Sequence, residues 1–358
     1  MGERFLRLVE GGLADPASDT DPASDAGQAP DAWVFQARCT QAFASTWVVR
    51  GFAATTVGCY TSLLERVLNH FERPVWQIEP ADVDAMLRDL LRAGRAAGTR
   101  RQYLQMLRMF HGFVQDRYAT EIRALYGVPV GDPLDRFNRL RHVYDGTSSL
   151  RLPPTAERLT AFFAFARARL TITSDYPAAA RDYALLRTLY HCAPRVSEAV
   201  RLDRCDVHPG LGPSGKLHVR FGKAASASGP RPRWAPMLDG LDRVLAWYQS
   251  DVRPLFPDTA PLFCDVQGQP LKPETVRDRL ARLLDAEARP EGDRFTPHDL
   301  RRACATHHYE QGMDLLTVQQ LLGHRHIAAT MAYVRPSLNF VEDAWRRTTL
   351  TAITGLAG

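Results

Sequence analysis

Two short stretches near the C-terminal end concentrate side chains able to do chemistry. They are Thr296-Pro297-His298-Asp299-Leu300-Arg301-Arg302, and Leu322-Gly323-His324 with Tyr333 nine residues further on. Upstream lie Arg195, in Pro194-Arg195-Val196-Ser197-Glu198, and Lys223, in Phe221-Gly222-Lys223. Together they supply what transesterification of a phosphodiester requires. The pentavalent transition state concentrates negative charge on the non-bridging oxygens, where fixed cationic donors stabilise it strongly. Arginine suits that place because its planar fork donates two aligned hydrogen bonds to phosphate oxygens. A phenol with a pKa of about 10 is a poor nucleophile unless cations and a base stand close by. Each residue alone has a plainer use, as a surface arginine, a structural histidine or a core aromatic; the chemical reading rests on their joint occurrence.

The elements that must present these groups are also legible. Thr296 reads as a helix cap and Pro297 as a first-turn residue. That places His298 and Arg301, at i and i+3, on one side of a helix start, the end that favours anions. His298 could accept the proton of a nucleophile or donate to a phosphate oxygen, and the sequence leaves both open. Leu315, Val318, Leu321 and Leu322 form a helical stripe ended by Gly323, so His324 emerges at a helix exit. Leu217-His218-Val219-Arg220-Phe221 alternates as a strand, and Arg233-Trp234-Ala235-Pro236-Met237 returns as its partner, with Lys223 toward the tip of the hairpin. Arg195 opens a helix, and Glu198 three residues on could hold a neighbouring basic group. The only lysines are Lys216, Lys223 and Lys272. Lysine can give up a proton where arginine cannot, which favours Lys223 as an acid; Lys216, ahead of the strand, is the lesser alternative.

At 358 residues the chain has room for two domains. Its net charge of +5 is unevenly spread: seven of 40 acidic and two of 45 basic side chains fall in residues 1–31, leaving 33 acidic against 43 basic beyond. A basic remainder favours a polyanionic partner, nucleic acid first. Residues 1–31 read as a disordered acidic leader, because their Ala, Asp, Pro, Ser and Gly cannot bury enough apolar surface to order. Helical patterning starts at Ala32. Thr55-Thr56 is expected to cap a helix running to Leu68, and Pro80-Ala81-Asp82 to start another carrying Val83, Met86, Leu87 and Leu90. Thr99 is expected to begin a third, with Tyr103, Met106, Leu107, Phe110 and Phe113-Val114 as its apolar face and Arg100, Arg101 and Arg108 on the other as candidate DNA contacts. Turn residues over 146–154 mark a linker, with a new helix near Thr155. Six scattered cysteines without a CxxC pair predict buried, reduced thiols in a cytoplasmic protein. There is no signal-like start and no apolar run long enough to span a bilayer. His307-His308 and His324-x-His326 lack a third ligand at a familiar spacing, so no metal is expected.

In order and type, the arginine box with its Ser-Glu, the hairpin lysine, the His-x-x-Arg box, the Leu-Gly-His box and the following tyrosine resemble the tyrosine recombinase (phage integrase) family. The likeness covers about residues 150–340; residues 32–145 resemble the family's core-binding domain in length and pattern only. The resemblance implies a mainly α fold with a small β-hairpin or sheet in the C-terminal domain (α+β). It divides the chain into a helical core-binding domain over 32–145, a catalytic domain over 155–340 and a tail over 341–358. In that tail Val341, Trp345, Leu350 and Ile353, with Phe340 before them, would form an amphipathic helix, covering its own domain or docking on a neighbouring protomer. Carried over residue by residue, Arg195, Lys223, His298, Arg301 and His324 become the phosphate-activating set and Tyr333 the nucleophile. Lys223 is then the general acid for the departing 5′ hydroxyl. The implied activity is site-specific recombination of double-stranded DNA through a 3′-phosphotyrosyl intermediate, by a tetramer on DNA, with no metal, nucleotide or other cofactor. A type IB-like topoisomerase shares these groups, and a non-catalytic DNA-binding protein shares the fold. Two departures stand out: Cys192-Ala193-Pro194 replaces the frequent Thr-Gly-x, with a proline expected to stiffen the turn, and the turn after Lys223 is long and lacks a second lysine.

Overall fold

A computed structural model describes residues 29–138, 140, 152–221 and 232–356. The leader before residue 29, the linker up to residue 151, and Lys223 with the rest of the 222–231 turn lie outside the described residues. The chain divides into two compact units, residues 1–148 and 149–358.

The first unit is helical: α1 (Ala32–Val49), α2 (Ala54–Leu68), α3 (Pro80–Arg92) and the long α4 (Ala97–Tyr126). Asp31, which the sequence groups with the acidic leader, is the cap of α1; its carboxylate accepts from the Trp33 N–H at 2.8 Å. Phe35, Cys39, Phe43 and Trp47 recur every fourth residue along α1 and are all buried, as are Leu64 and Val67 of α2 and Leu107, Phe110 and Val114 of α4. Thr55 and Thr56 are not caps: α2 begins at Ala54 after an Ala53 that makes no side-chain capping bond, so both threonines lie in the first turn. Helix α4 starts two residues before Thr99 and ends at Gly127, whose φ of +69° suits glycine.

In the second unit Thr155 caps α5 (Ala156–Ala168), and α6 (Tyr176–His191) leads into the one-turn α7 (Val196–Ala199). A three-stranded antiparallel sheet follows, β1 (Val207–His208), β2 (Lys216–Val219) and β3 (Arg233–Pro236), in the order β1-β2-β3. Register sets Val219 opposite Arg233 and Leu217 opposite Ala235. Lys216 is thus the first residue of β2, not a residue ahead of it. The strand stops at Val219, short of the expected Phe221: the register would set Pro232, which has no N–H to donate, opposite Arg220. Beyond lie α8 (Leu241–Trp247), α9 (Pro273–Ala286), α10 (Pro297–Glu310), α11 (Leu315–Leu322), α12 (Ile327–Tyr333) and α13 (Leu338–Leu356). Helix α10 packs along α6, and Leu300, Ala303, Cys304 and Ala305 sink into the core with Ala180, Ala184 and Leu189. The architecture is the mainly helical one with a small sheet that the sequence implies. Cys59 and Cys205 are exposed, against the expectation of buried thiols; the other four are buried, and all six are unpaired. Among the described residues no helix is long and apolar enough to cross a membrane.

Candidate active site

The site is assembled from the ends of short elements. Helix α6 stops at His191, and the chain turns through Cys192-Ala193-Pro194 into Arg195. Ala193, where the family pattern often has glycine, takes φ +47°. Holding a non-glycine residue there costs on the order of 1 kcal/mol, so the turn is strained at Ala193. Arg195 then opens α7 and Glu198 reaches back to it. The Glu198 carboxylate accepts from the Arg195 N–H at 2.9 Å and from Arg195 Nη1 at 2.7 Å. Glu198 is 2% exposed. Burial alone would raise its pKa, but the Arg233 charge and hydrogen bond, with the bonds from Arg195, bring it below the usual carboxylate value.

Helix α10 begins as its sequence prescribes. The Thr296 hydroxyl accepts from the Asp299 N–H, the Asp299 carboxylate accepts from the Thr296 N–H at 2.9 Å, and Pro297 fills the first turn. His298 and Arg301 leave on one side but have different surroundings. His298 is exposed; partial loss of solvent around its ring, then the nearby Arg301, Arg302 and Arg195, lowers its pKa. Arg301 is 1% exposed. Its Nη1 donates to the Ala193 carbonyl and its Nη2 to the Leu322 carbonyl. Its Nε has no hydrogen-bond partner among the described residues. Burial, then Arg195 and Arg233, pushes its pKa down to about 9, still a cation at neutral pH.

Helix α11 ends at Gly323, φ +65°, and His324 turns inward. Its Nε2 lies 3.2 Å from Arg301 Nη2 and its Nδ1 3.1 Å from Thr330 Oγ1. Arginine offers only donors, so Nε2 carries the lone pair and Nδ1–H donates to the threonine. Burial, followed by the charges of Arg301, Arg195 and Arg233, holds the His324 pKa down at about 4, in keeping with a neutral ring. Tyr333 ends α12 between the two histidines: ring centroids lie 5.1 Å from His298 and 4.8 Å from His324. The Arg301 guanidinium carbon sits 5.8 Å from the tyrosine ring centre.

Arg195, His298, Arg301 and Tyr333 line one cavity of about 830 Å³, walled on its far side by α9. Sequence reasoning singles out Arg195, Glu198, His298, Arg301, His324 and Tyr333, and the structure brings these six together; Lys223 lies outside the described residues. Two side chains of the cluster escape that reasoning. Thr330, fully buried, holds His324, and Arg233 reads in the sequence only as a strand residue. Arg233 donates from Nη2 to Glu198 Oε2 at 2.8 Å and from Nε to the Leu321 carbonyl at 3.1 Å. Both make contacts outside their own elements, so no local pattern signals them. In the first unit Arg101 and Arg108 line a shallow concavity of about 530 Å³ with Gln102 and Gln105; Arg100, about a hundred degrees further round α4, is not part of its lining. Among the described residues no three His, Cys, Asp or Glu side chains come together as metal ligands.

Residues 164–339 match the phage integrase family and residues 41–117 the phage integrase N-terminal SAM-like domain. The chain is 33% identical over 195 residues to tyrosine recombinase XerC of Bradyrhizobium diazoefficiens, covering 52% of this chain and 58% of the relative. Its matches to three XerC proteins span 42% to 58% of those relatives' lengths. It is 26% identical over 305 residues to XerD of Mycobacterium tuberculosis, covering 83% of this chain and 92% of the relative. In fold it is similar to the integrase of transposon Tn1549, solved in complex with transposon right-end DNA, at a TM-score of 0.64 and 18% identity over 86% of this chain and 98% of that one. Catalytic-domain and N-terminal matches together make this chain a member of the phage integrase, or tyrosine recombinase, family, whose enzymes break and rejoin DNA.

Proposed function

We propose that the chain is a site-specific DNA recombinase that cuts and rejoins double-stranded DNA through Tyr333. The observation that carries this reading is the placement of Tyr333 against His298 and His324 with the Arg301 guanidinium at its ring. Arg195 and Arg301 hold the non-bridging oxygens of the scissile phosphate. The Tyr333 oxygen attacks phosphorus and loses its proton toward His298 or through the phosphate. The bond from phosphorus to the 5′ oxygen breaks, and that oxygen leaves with a proton from Lys223. The phosphate remains on Tyr333 as a 3′-phosphotyrosine. Reversal with the 5′ hydroxyl of another strand rejoins DNA, and the conserved bond energy makes ATP unnecessary. Neither metal nor cofactor enters these steps. Glu198 steadies Arg195, and residues 32–145 clamp the duplex with the Arg101 and Arg108 face. The last helix, α13, leaves Leu338, Val341 and Trp345 exposed, which supports docking on a neighbouring copy in a tetramer on DNA, in the cytoplasm.

The test is trapping on a library of nicked suicide duplexes, in which the short 5′ fragment diffuses away after cleavage. Wild-type protein is expected to form a covalent protein–DNA complex in excess chelator, and Tyr333→Phe none. A wild-type protein that binds DNA but traps nothing would leave only a DNA-binding role. Strand exchange between two copies of a captured site, set against relaxation of supercoiled plasmid without site preference, separates recombinase from swivelling topoisomerase.

A further inference from the structure

Glu198 stands among three arginines, and only two of them, Arg195 and Arg301, have a place in the proposed chemistry. The third, Arg233, is the first residue of β3 and its side chain is only 10% exposed. We propose that Arg233 is a positioning residue of the cleavage step: by holding Glu198 and the Leu321–Gly323 turn, it keeps the guanidinium groups of Arg195 and Arg301 available to the scissile phosphate. This rests on the recombinase reading above.

The first argument is charge. Glu198 Oε2 takes a 2.8 Å bond from Arg233 and a 2.9 Å bond from the Arg195 N–H, while Arg301 Nη1 waits 3.9 Å away. A buried carboxylate that loses one counter-cation draws on the next. Without Arg233, Glu198 competes with the phosphate for Arg301, and pulls harder on the Arg195 Nη1 it already holds. The second is the helix end. The Leu321 and Leu322 carbonyls are acceptors left unmatched where α11 stops. Arg233 Nε takes the first and Arg301 Nη2 the second, so two arginines from different elements fix the turn that delivers His324. The third is room. A Cβ on Gly323 would come within 2.9 Å of Arg233 Cδ and 3.1 Å of Nε. Gly323 is therefore required by its left-handed backbone and also by the stem of Arg233 crossing it. Arg233 thus links the Arg195–Glu198 turn to the His324 turn, and Arg301 bonds to the Ala193 carbonyl ahead of the first and to the Leu322 carbonyl in the second.

The experiment compares cleavage of two nicked duplexes at saturating DNA. One carries the natural scissile phosphate; the other carries a methylphosphonate, in which a methyl group replaces a charged non-bridging oxygen. On phosphate, Arg233→Met is expected to slow covalent-complex formation roughly 10- to 100-fold, from misplacement of groups that still fold and still bind DNA. On methylphosphonate, which presents little charge to neutralise, the slowing is expected to be less than about threefold. Arg233→Lys, which keeps a charge beside Glu198 but not the two-point hold, falls between. Equal slowing on both linkages would assign Arg233 to the fold alone, and no slowing would remove it from the site; either overturns the proposal. Should Arg233→Met fail to fold by its melting curve, the same comparison with Arg233→Lys decides. A wild-type protein that forms no covalent complex on either duplex sinks the recombinase reading, and this proposal with it.

Discussion

The arginines of the catalytic cluster and those of α4 are used in opposite ways. Arg301 is buried with its guanidinium against two backbone carbonyls and a histidine; Arg195 and Arg233 share one buried carboxylate. On α4, Arg101 is half-buried and Arg108 exposed, on the rim of a shallow concavity. Cations in the cluster have given up water and conformational freedom before any substrate arrives, so they need little reorganisation when charge develops on a phosphate. Cations on α4 keep their hydration and mobility, which suits a grip that must adapt to a backbone and release counterions. Fixed charge suits chemistry, and solvated charge suits holding.

Removing a charge from each region tests that contrast. Arg301→Gln should have the largest effect. It strands the Ala193 and Leu322 carbonyls, takes a cation from beside Glu198, and is expected to cost about 2 to 4 kcal/mol of stability in denaturant unfolding. Covalent-complex formation at a temperature where the variant is folded should fall by about a thousandfold or more. An Arg301→Gln protein as stable as the wild type would show that the cluster is not built on buried charge at all.

The next largest effect belongs to the other region. Arg101→Gln with Arg108→Gln should leave melting unchanged and leave single-turnover cleavage at saturating DNA unchanged. Affinity should fall about tenfold at low salt, and the slope of log affinity against log salt should shrink by about 2, roughly one for each phosphate no longer neutralised. An unaltered salt slope would move the DNA grip off this face of α4.

The same contrast governs what was legible in the sequence. Thr296, Pro297 and the i, i+3 pair of His298 and Arg301 are local chemistry, and α10 begins at Pro297 with the Thr296–Asp299 box in place. Gly323 ends α11 because a left-handed residue is needed there, which its type announces. The mainly helical class with a small sheet followed from periodicity and resemblance. Most of what escaped was set by partners distant in the sequence. Thr55 and Thr56 look like caps, yet α2 starts a residue earlier and carries them inside. The β2 strand ends before Arg220 because the register sets Pro232, with no N–H to donate, opposite it. Arg233 meets Glu198 from 35 positions away and Leu321 from 88, separations at which no periodicity carries information. Ala193 hides for a different reason: alanine gives no sign that its backbone is left-handed.

The smallest expected effect probes how firmly the cluster holds one proton. In the protein without DNA, His324 is neutral, with Nε2 facing Arg301 and Nδ1–H on Thr330. To donate to a phosphate oxygen it must carry hydrogen on Nε2, and the Thr330 hydroxyl can go on accepting from Nδ1–H in the resulting imidazolium. Thr330, 0% exposed, accepts from Nδ1–H in the neutral and the charged ring alike, so it favours the charged ring only by the extra strength of a charge-assisted bond. Thr330→Val keeps the shape and removes that acceptor; the bond to the charged ring exceeds the one to the neutral ring by about 1 kcal/mol, or about 0.7 of a pH unit. The sign follows from that difference: losing a bond that is stronger in the protonated form lowers the His324 pKa. If the protonated ring is the active one, cleavage at saturating DNA declines as pH rises through that pKa, and in Thr330→Val the decline should begin about 0.7 unit earlier. Thr330→Ser, which retains the hydroxyl, should leave the profile in place. A Thr330→Val profile that moves to higher pH, or not at all, would mean that His324 acts without gaining a proton, and that this part of the cluster is fixed in place without being poised for transfer.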